Sequence, residues 1–329
     1  MMSLPTRKIG DADVTALGFG AMGIAAYYAT TIGEEERFKL LNAVYESGCT
    51  NWDTADAYGD SEISIGKWFK KTGKRTEIFL ATKFGLAADI PDRMVCGDPE
   101  YVPKALDKSL ERLGVDYVDL WYLHRADQTV PIELTVRAMA EQVKAGKVKY
   151  IGLSEVSSAT LRRAHAVHPI SALQIEYSPF SLEIEDEKIG LLKTARELGV
   201  TVVAYSPLGR GLLTGQIRSP SDLKEGDMRL WLPRFSQENF PKILRVVDGI
   251  QAIAKKYNAT AGQVTLAWLL AQGDDIIPIP GTSRIPLKLA QTDIDEIRKL
   301  ALAAHNTIGD RYAGAWQDIT LADTPPLKE

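Results

Sequence analysis

The chain has 329 residues, 45% of them hydrophobic and 25% charged, with a formal net charge of −4. That is enough apolar sequence for a large core, and too little positive charge to point to nucleic acid as a partner. No run approaches the ~20 consecutive apolar residues of a membrane span. Met1–Lys8 carries no apolar leader, and Cys49 and Cys96 alone make no disulfide framework. A cytoplasmic protein without nucleic-acid or membrane partners is expected.

The first apolar run, Val14–Phe19, predicts a strand that leads into Gly18-Phe19-Gly20-Ala21-Met22-Gly23. The spacing is G-x-G-x-x-G, but a dinucleotide fold needs a helix opening on the last glycine and an acidic residue about 20 positions on. Ile24–Thr31 is an uncapped, poor helix start, and the next convincing helix begins at Glu34. The glycines therefore predict a strand end that something approaches closely, without a Rossmann domain.

Further strand-like runs are Thr50–Asp53, Ile78–Lys83, Asp119–His124, Tyr150–Leu153, Ala172–Ile175, Val200–Tyr205 and Ile276–Ile279. Helical patterns alternate with them: from Ser61, through Val102, Ala105, Leu106, Leu110 and Leu113 to Gly114, near 131–145, over 158–166, near 187–198, near 240–257 and over 261–271. The basic run Lys70–Arg75 reads as a solvated helix end. About eight strands, most followed by a helix, predict an α/β chain with a parallel sheet closed as a (β/α)8 barrel. The expectation is a single domain over 1–329, with 206–239 as a long loop on the cofactor side and 305–329 as a C-terminal tail.

Chemistry in such a barrel gathers at the C-terminal strand ends. Asp53, Lys83 and His124 end successive strands, and Tyr58 follows Asp53 in its loop. Each alone is ordinary; together they suggest proton transfer by a tuned phenol, since a lysine beside a tyrosine favours phenolate. No metal is expected: His124, His165, His168 and His305 lack zinc spacing. Gly152-Leu153-Ser154-Glu155-Val156 lacks the last glycine of a nucleophile elbow, and no Walker motif occurs.

Asp53-Thr54-Ala55-Asp56-Ala57-Tyr58-Gly59, Ala81-Thr82-Lys83-Phe84-Gly85, Leu123-His124, Ile151-Gly152-Leu153-Ser154, Tyr205-Ser206-Pro207-Leu208-Gly209-Arg210-Gly211 and Ile279-Pro280-Gly281-Thr282-Ser283-Arg284 together resemble the aldo-keto reductase superfamily. The likeness covers residues 7 to about 285 and is strongest to its microbial, fungal and plant NADPH-dependent aldehyde reductases. It implies reduction of a small-molecule carbonyl, with NADPH extended over the barrel top. Tyr58 would be the general acid, His124 would orient the carbonyl, and Lys83 and Asp53 would tune Tyr58. Ser154 and Gln174 would hold the carboxamide, with Tyr205 stacked on the nicotinamide. Gly20, Ala21 and Met22 would line the ribose, while Ser206, Pro207, Leu208, Gly209 and Gly211 pass the pyrophosphate. Gly281 would border the same cofactor site, and Ser283 and Arg284 would meet the 2′-phosphate. The same resemblance leaves open a cofactor-binding regulatory subunit or a weakly active paralogue on this barrel. Tyr27, Tyr28, Arg125, Trp231 and Trp316 are candidates for the substrate pocket, with packing as the alternative for each.

Two departures stand out. Glu155 follows Ser154, where many members carry Asn. After Arg284-Ile285-Pro286 the chain runs directly into Leu287–Ile297, so about a dozen residues of the family's eighth helix region, with their Glu-Asn pair, have no counterpart. Thr292–Ala304 is amphipathic, with Thr292 as a candidate cap and Asp295 at capping-box spacing. It is expected to take part of the shortened eighth helix's place.

Overall fold

Alternation with period two sorts each strand's residues between helices outside and a barrel interior. The structure is a computed structural model describing residues 4–25, 33–86, 90, 93–281, 288–305 and 307–328. In chain order the elements are β1 (Thr6–Ile9), β2 (Ala12–Thr15), β3 (Phe19–Gly20), α1 (Glu34–Glu46), β4 (Asn51–Asp53), α2 (Ser61–Thr72), β5 (Phe79–Phe84), α3 (Tyr101–Leu113), β6 (Val118–Leu123), α4 (Ile132–Lys144), β7 (Val148–Ser154), α5 (Ser158–Val167), β8 (Ala172–Glu176), α6 (Leu191–Glu197), β9 (Thr201–Tyr205), α7 (Phe240–Lys256), α8 (Ala261–Leu270), β10 (Ile276–Pro278), α9 (Gln291–His305) and α10 (Ala315–Asp318).

Strands β3 to β10 form one parallel eight-stranded sheet in chain order. Its ends meet: the Gly18 amide donates to the Pro278 carbonyl at 3.0 Å and the Gly20 amide to the Pro280 carbonyl at 2.9 Å. A Cβ on Gly20 would lie 2.6 Å from the Ile279 carbonyl oxygen, so only glycine lets the seam close there. The fold is the expected α/β barrel.

The sequence reading differs at the start of the chain. The run Val14–Phe19 is not one strand: Ala12–Thr15 pairs antiparallel with Thr6–Ile9, and the barrel's first strand is only Phe19–Gly20. Ile9 and Val14 of this hairpin pack with Ala81, Leu120, Ala172, Val203 and Ile277 inside the barrel. Arg7 donates to the carbonyls of Leu270, at 2.6 Å, and Ile276. The hairpin thus plugs the end opposite the strand C-termini and leaves that end open for a site.

The outer core lies between strands and helices. Trp52, Leu80, Phe84, Trp121 and Leu123 face outward from β4, β5 and β6 and meet residues such as Val102, Leu106 and Val136 of the surrounding helices. Helix α3 buries the expected stripe and ends on Gly114 at φ 61°, in the left-handed region.

The last long helix also differs from expectation. Thr292 lies inside α9, which opens at Gln291, and the amides of Asp293 and Ile294 donate to the Ala290 carbonyl. Helix α9 lies against α7 and α8. Leu300 fills the space above Gly249, Asp293 accepts from Lys256 and Tyr257 at 2.7 Å each, and the Trp268 indole donates to the Ile294 carbonyl at 3.2 Å. Its apolar stripe is thus spent on these two helices, and it does not stand in for a helix over the eighth strand. Among the described residues between β10 and α9, none is helical; Arg284 and Pro286 lie outside the described residues, as do Tyr27 and Tyr28.

Candidate active site

The inward half of the alternation converges at the C-terminal strand ends. Asp53, Lys83, His124, Ser154, Gln174 and Tyr205 come from β4 to β9 or the residue just after β6, and each shares its parity with an inward core residue such as Ala81, Leu120, Ala172 or Val203. Lys83 is fully buried and Asp53 nearly so, and the ammonium bonds directly to Asp53. The same nitrogen donates to the Thr54 carbonyl at 2.7 Å, and Gln174 donates to the other Asp53 oxygen at 2.8 Å. Burial raises the Asp53 carboxyl and lowers the Lys83 ammonium, each pull opposed by the partner's charge. The ion pair is held by these two further polar groups, as a buried charge requires.

Tyr58 is set by a pinned loop. The Thr54 amide donates to the Ala81 carbonyl at 2.9 Å, the Asp56 amide to Lys83 at 3.1 Å, and the Tyr58 amide to Ala55 at 3.2 Å. Its ring centre lies 5.0 Å from the Lys83 nitrogen and 5.7 Å from the His124 ring, edge to face at 82°. Burial, then the charges of Lys83 and Arg125, push the His124 imidazole well below its ordinary value, so it is neutral at pH 7.

Two cavities meet at Tyr58. One, of about 410 Å³, runs past Gly20, Met22 and Asp53 to Ser206, Pro207, Leu208, Gly211 and Gly281, with Arg210 and Arg229 on its wall. The other, of about 300 Å³, is walled by His124, Arg125, Ser154, Trp231, Tyr312 and Trp316, among others. Tyr58, Gln174 and Tyr205 border both. Two residues expected at the cofactor line neither cavity. Ala21 is fully buried, and Gly209 packs on Phe180, 2.7 Å from where its Cβ would be. Ser154 borders only the smaller one, and Ser283 and Arg284 lie outside the described residues.

The larger cavity suits the expected dinucleotide. At one end are the Tyr205 ring and the Gln174 amide. Further along its wall, Arg210 and Gly211 have positive φ, which bends the chain sharply beside the Arg210 and Arg229 guanidinium groups, each also paired with a carboxylate. An extended molecule with a ring at one end and phosphates at the other fits that donor set.

One structural unit was not foreseen. Glu155 is fully buried at φ 53° and accepts both arms of Arg311, at 2.8 Å each. It also accepts from the Tyr205 hydroxyl at 2.8 Å, and that hydroxyl lies 3.1 Å from the Tyr312 hydroxyl. Arg210 pairs with Glu176 at 3.2 Å and Arg234 with Glu183 at 2.8 Å. The long loop and the tail are thereby tied to β7, β8 and β9. Glu155, which looked like a departure at the carboxamide site, is instead the anchor of the tail.

Burial, the largest single influence, would raise the Glu155 carboxyl, but the charge and hydrogen bonds of Arg311, the Arg125 charge and the Tyr205 hydroxyl together outweigh it and hold the group at about 2. Its contribution to stability is therefore complete above the ordinary value of 4.5 and lost as pH falls towards 2. Glu155→Gln should cost about 1–3 kcal/mol near neutrality, because it leaves the Arg311 guanidinium poorly paired. Thermal melts should show the gap to the parent protein narrowing between those pH values; a gap independent of pH would contradict the assignment.

Among the described residues, no cluster of histidine, cysteine, aspartate or glutamate has a metal-holding arrangement, and no helix is long and apolar enough to cross a membrane.

Comparison with known proteins points one way. The model of the aldo/keto reductase family matches residues 16–292. The chain is 56% identical over 343 aligned residues to aldo-keto reductase str7 of Strobilurus tenacellus, covering 100% of both proteins. That alignment is longer than the 329 residues of this chain and so carries gaps on its side. It is 49% identical to aldo-keto reductase yakc [NADP(+)] of Schizosaccharomyces pombe, covering 99% of both. Among solved structures, the glycerol dehydrogenase AKR11B4 of Gluconobacter oxydans superposes with a TM-score of 0.80 at 25% identity, covering 91% of this chain and 95% of that one.

Proposed function

Because this chain belongs to the aldo/keto reductase family, whose members are nicotinamide-dependent carbonyl oxidoreductases, we propose that it reduces aldehydes or ketones to alcohols with NADPH. The observation that carries this reading is the position of Tyr58 at the junction of the two cavities, with the buried Lys83–Asp53 pair behind it.

Bound along the larger cavity, the dinucleotide supplies the hydride. Tyr58 gives its phenolic proton to the carbonyl oxygen and is left as phenolate. Lys83 stabilises that phenolate, and Asp53 and Gln174 keep Lys83 charged and in place. Neutral His124 holds the carbonyl oxygen against Tyr58. Tyr205, its hydroxyl fixed by Glu155, would stack on the nicotinamide, and Ser154 and Gln174 would hold the carboxamide. Met22, Ser206, Pro207, Leu208, Gly211 and Gly281 would follow the rest of the molecule, and Ser283 and Arg284 would receive the 2′-phosphate. An NADPH-oxidation screen over aromatic aldehydes, aliphatic aldehydes and pyridoxal tests the reading. Turnover of at least one class is expected, and none with any class would contradict it.

NADPH is proposed over NADH because Arg284 has a 2′-phosphate to pair with only in the former; the yakc relative carries NADP(+) in its name. Fluorescence titration should give a clear preference for NADPH, and Arg284→Ala should remove most of it. Equal affinity of the parent protein for the two would refute the clamp.

A further inference from the structure

One buried cation in the smaller cavity has no counter-ion among the described residues. Arg125 follows His124 directly, is 5% exposed and lines the cavity that holds His124 and Tyr58, but not the larger one. Its hydrogen bonds are few. One Nη1 contact reaches the His124 carbonyl at 3.0 Å, and a second reaches the Ser154 hydroxyl at 3.5 Å, the outer limit for such a bond. Its Nε is buried with no partner among the described residues.

Its neighbours differ. Arg311 is matched by Glu155, Arg210 by Glu176, Arg234 by Glu183 and Arg229 by Asp227. The carboxylate whose charge Arg125 feels most among these, Glu155, already gives both oxygens to Arg311. No carboxylate among the described residues forms an ion pair with Arg125. A guanidinium cannot shed its proton to relieve burial, and one left buried without a partner is costly. Such a group persists where a ligand completes it.

We infer that Arg125 receives a carboxylate carried by the carbonyl substrate, so that the preferred substrates are anionic aldehydes or ketones. This rests on the carbonyl-reductase reading above. The planar fork of the guanidinium suits a carboxylate. Trp231, Tyr312, Trp316 and Leu86 frame the remaining wall, which suits an apolar or aromatic body between carboxylate and carbonyl. Because Arg125 does not border the larger cavity, its ligand is distinct from the cofactor's phosphates.

The test compares kcat/KM for para-formylbenzoate with that for its methyl ester, in the parent protein, Arg125→Gln and Arg125→Lys. The acid should be favoured by roughly tenfold or more in the parent protein, as for a charged hydrogen-bonded pair. That ratio should fall to about one in Arg125→Gln and be partly kept in Arg125→Lys. Reading the ratio removes any general loss of activity in the variants. If the variants do not fold, benzoate should compete with the ester in the parent protein while benzamide does not. An acid-to-ester ratio near one in the parent protein, or one unchanged by Arg125→Gln, overturns the inference while ester turnover leaves the reductase reading standing. Turnover of neither compound, nor of any other carbonyl, overturns both.

Discussion

Tyr58→Phe should lower carbonyl reduction by roughly 10²-fold or more while NADPH binds as before, the loss expected when a general acid is removed. The substitution keeps the aromatic ring that borders both cavities and packs edge to face against His124. It removes only the hydroxyl, so the loss should fall on kcat, with KM and cofactor affinity little changed. Lys83 sits 5.0 Å from the ring centre and remains paired with Asp53 whatever the phenol does. Near-parental turnover in this variant would remove Tyr58 from the mechanism. A comparable loss of NADPH affinity would reassign it to binding.

Lys83→Met should abolish most activity and lower the melting temperature together. It strips the charge that stabilises phenolate and leaves Asp53 buried against apolar carbon, with only Gln174 among the described residues still donating to it. Removing one member of a buried pair costs about 3–5 kcal/mol. The double variant Asp53→Asn/Lys83→Met separates the effects: stability should largely return, because no unpaired buried charge remains, and activity should not. If Lys83→Met keeps the parental pH–rate profile, Lys83 does not tune the phenol.

Much of this architecture was legible in the sequence because its signals are local. Strand runs ending in Asp53, Lys83 and His124, each followed by a helical stripe, require only alternation and a count. The stripe Val102, Ala105, Leu106, Leu110 and Leu113 folded as its spacing implied. The decoy at Gly18–Gly23 could be set aside because no helix opens there; the structure has a four-residue 3-10 turn over Ala21–Ile24 instead.

What escaped depends on long-range contact. The split of Val14–Phe19 is decided by pairing with Thr6–Ile9 and by closure onto Pro278 and Pro280, which no local pattern reports. Glu155 binding Arg311 joins residues 156 apart in sequence. The signal that was available is the parity of the strands. Ser154, Gln174 and Tyr205 alternate with the outward Leu153, Ile175 and Ala204, which places them in the same interior as Asp53 and Lys83 without appeal to any relative. Helix α9 was legible as a helix, but its place on α7 was not. An apolar stripe says that a helix is covered, and nothing about which neighbour covers it.

The central claim is that hydride passes to a carbonyl carbon in the pocket where Tyr58 protonates the oxygen. The most direct measurement is reduction of an aromatic aldehyde with NADPH deuterated at C4, in ordinary water, with the product analysed by mass spectrometry. The account predicts an alcohol with deuterium on the former carbonyl carbon and none on oxygen. Tight NADPH binding with no labelled alcohol from any aldehyde would contradict it and favour a cofactor-binding role without catalysis.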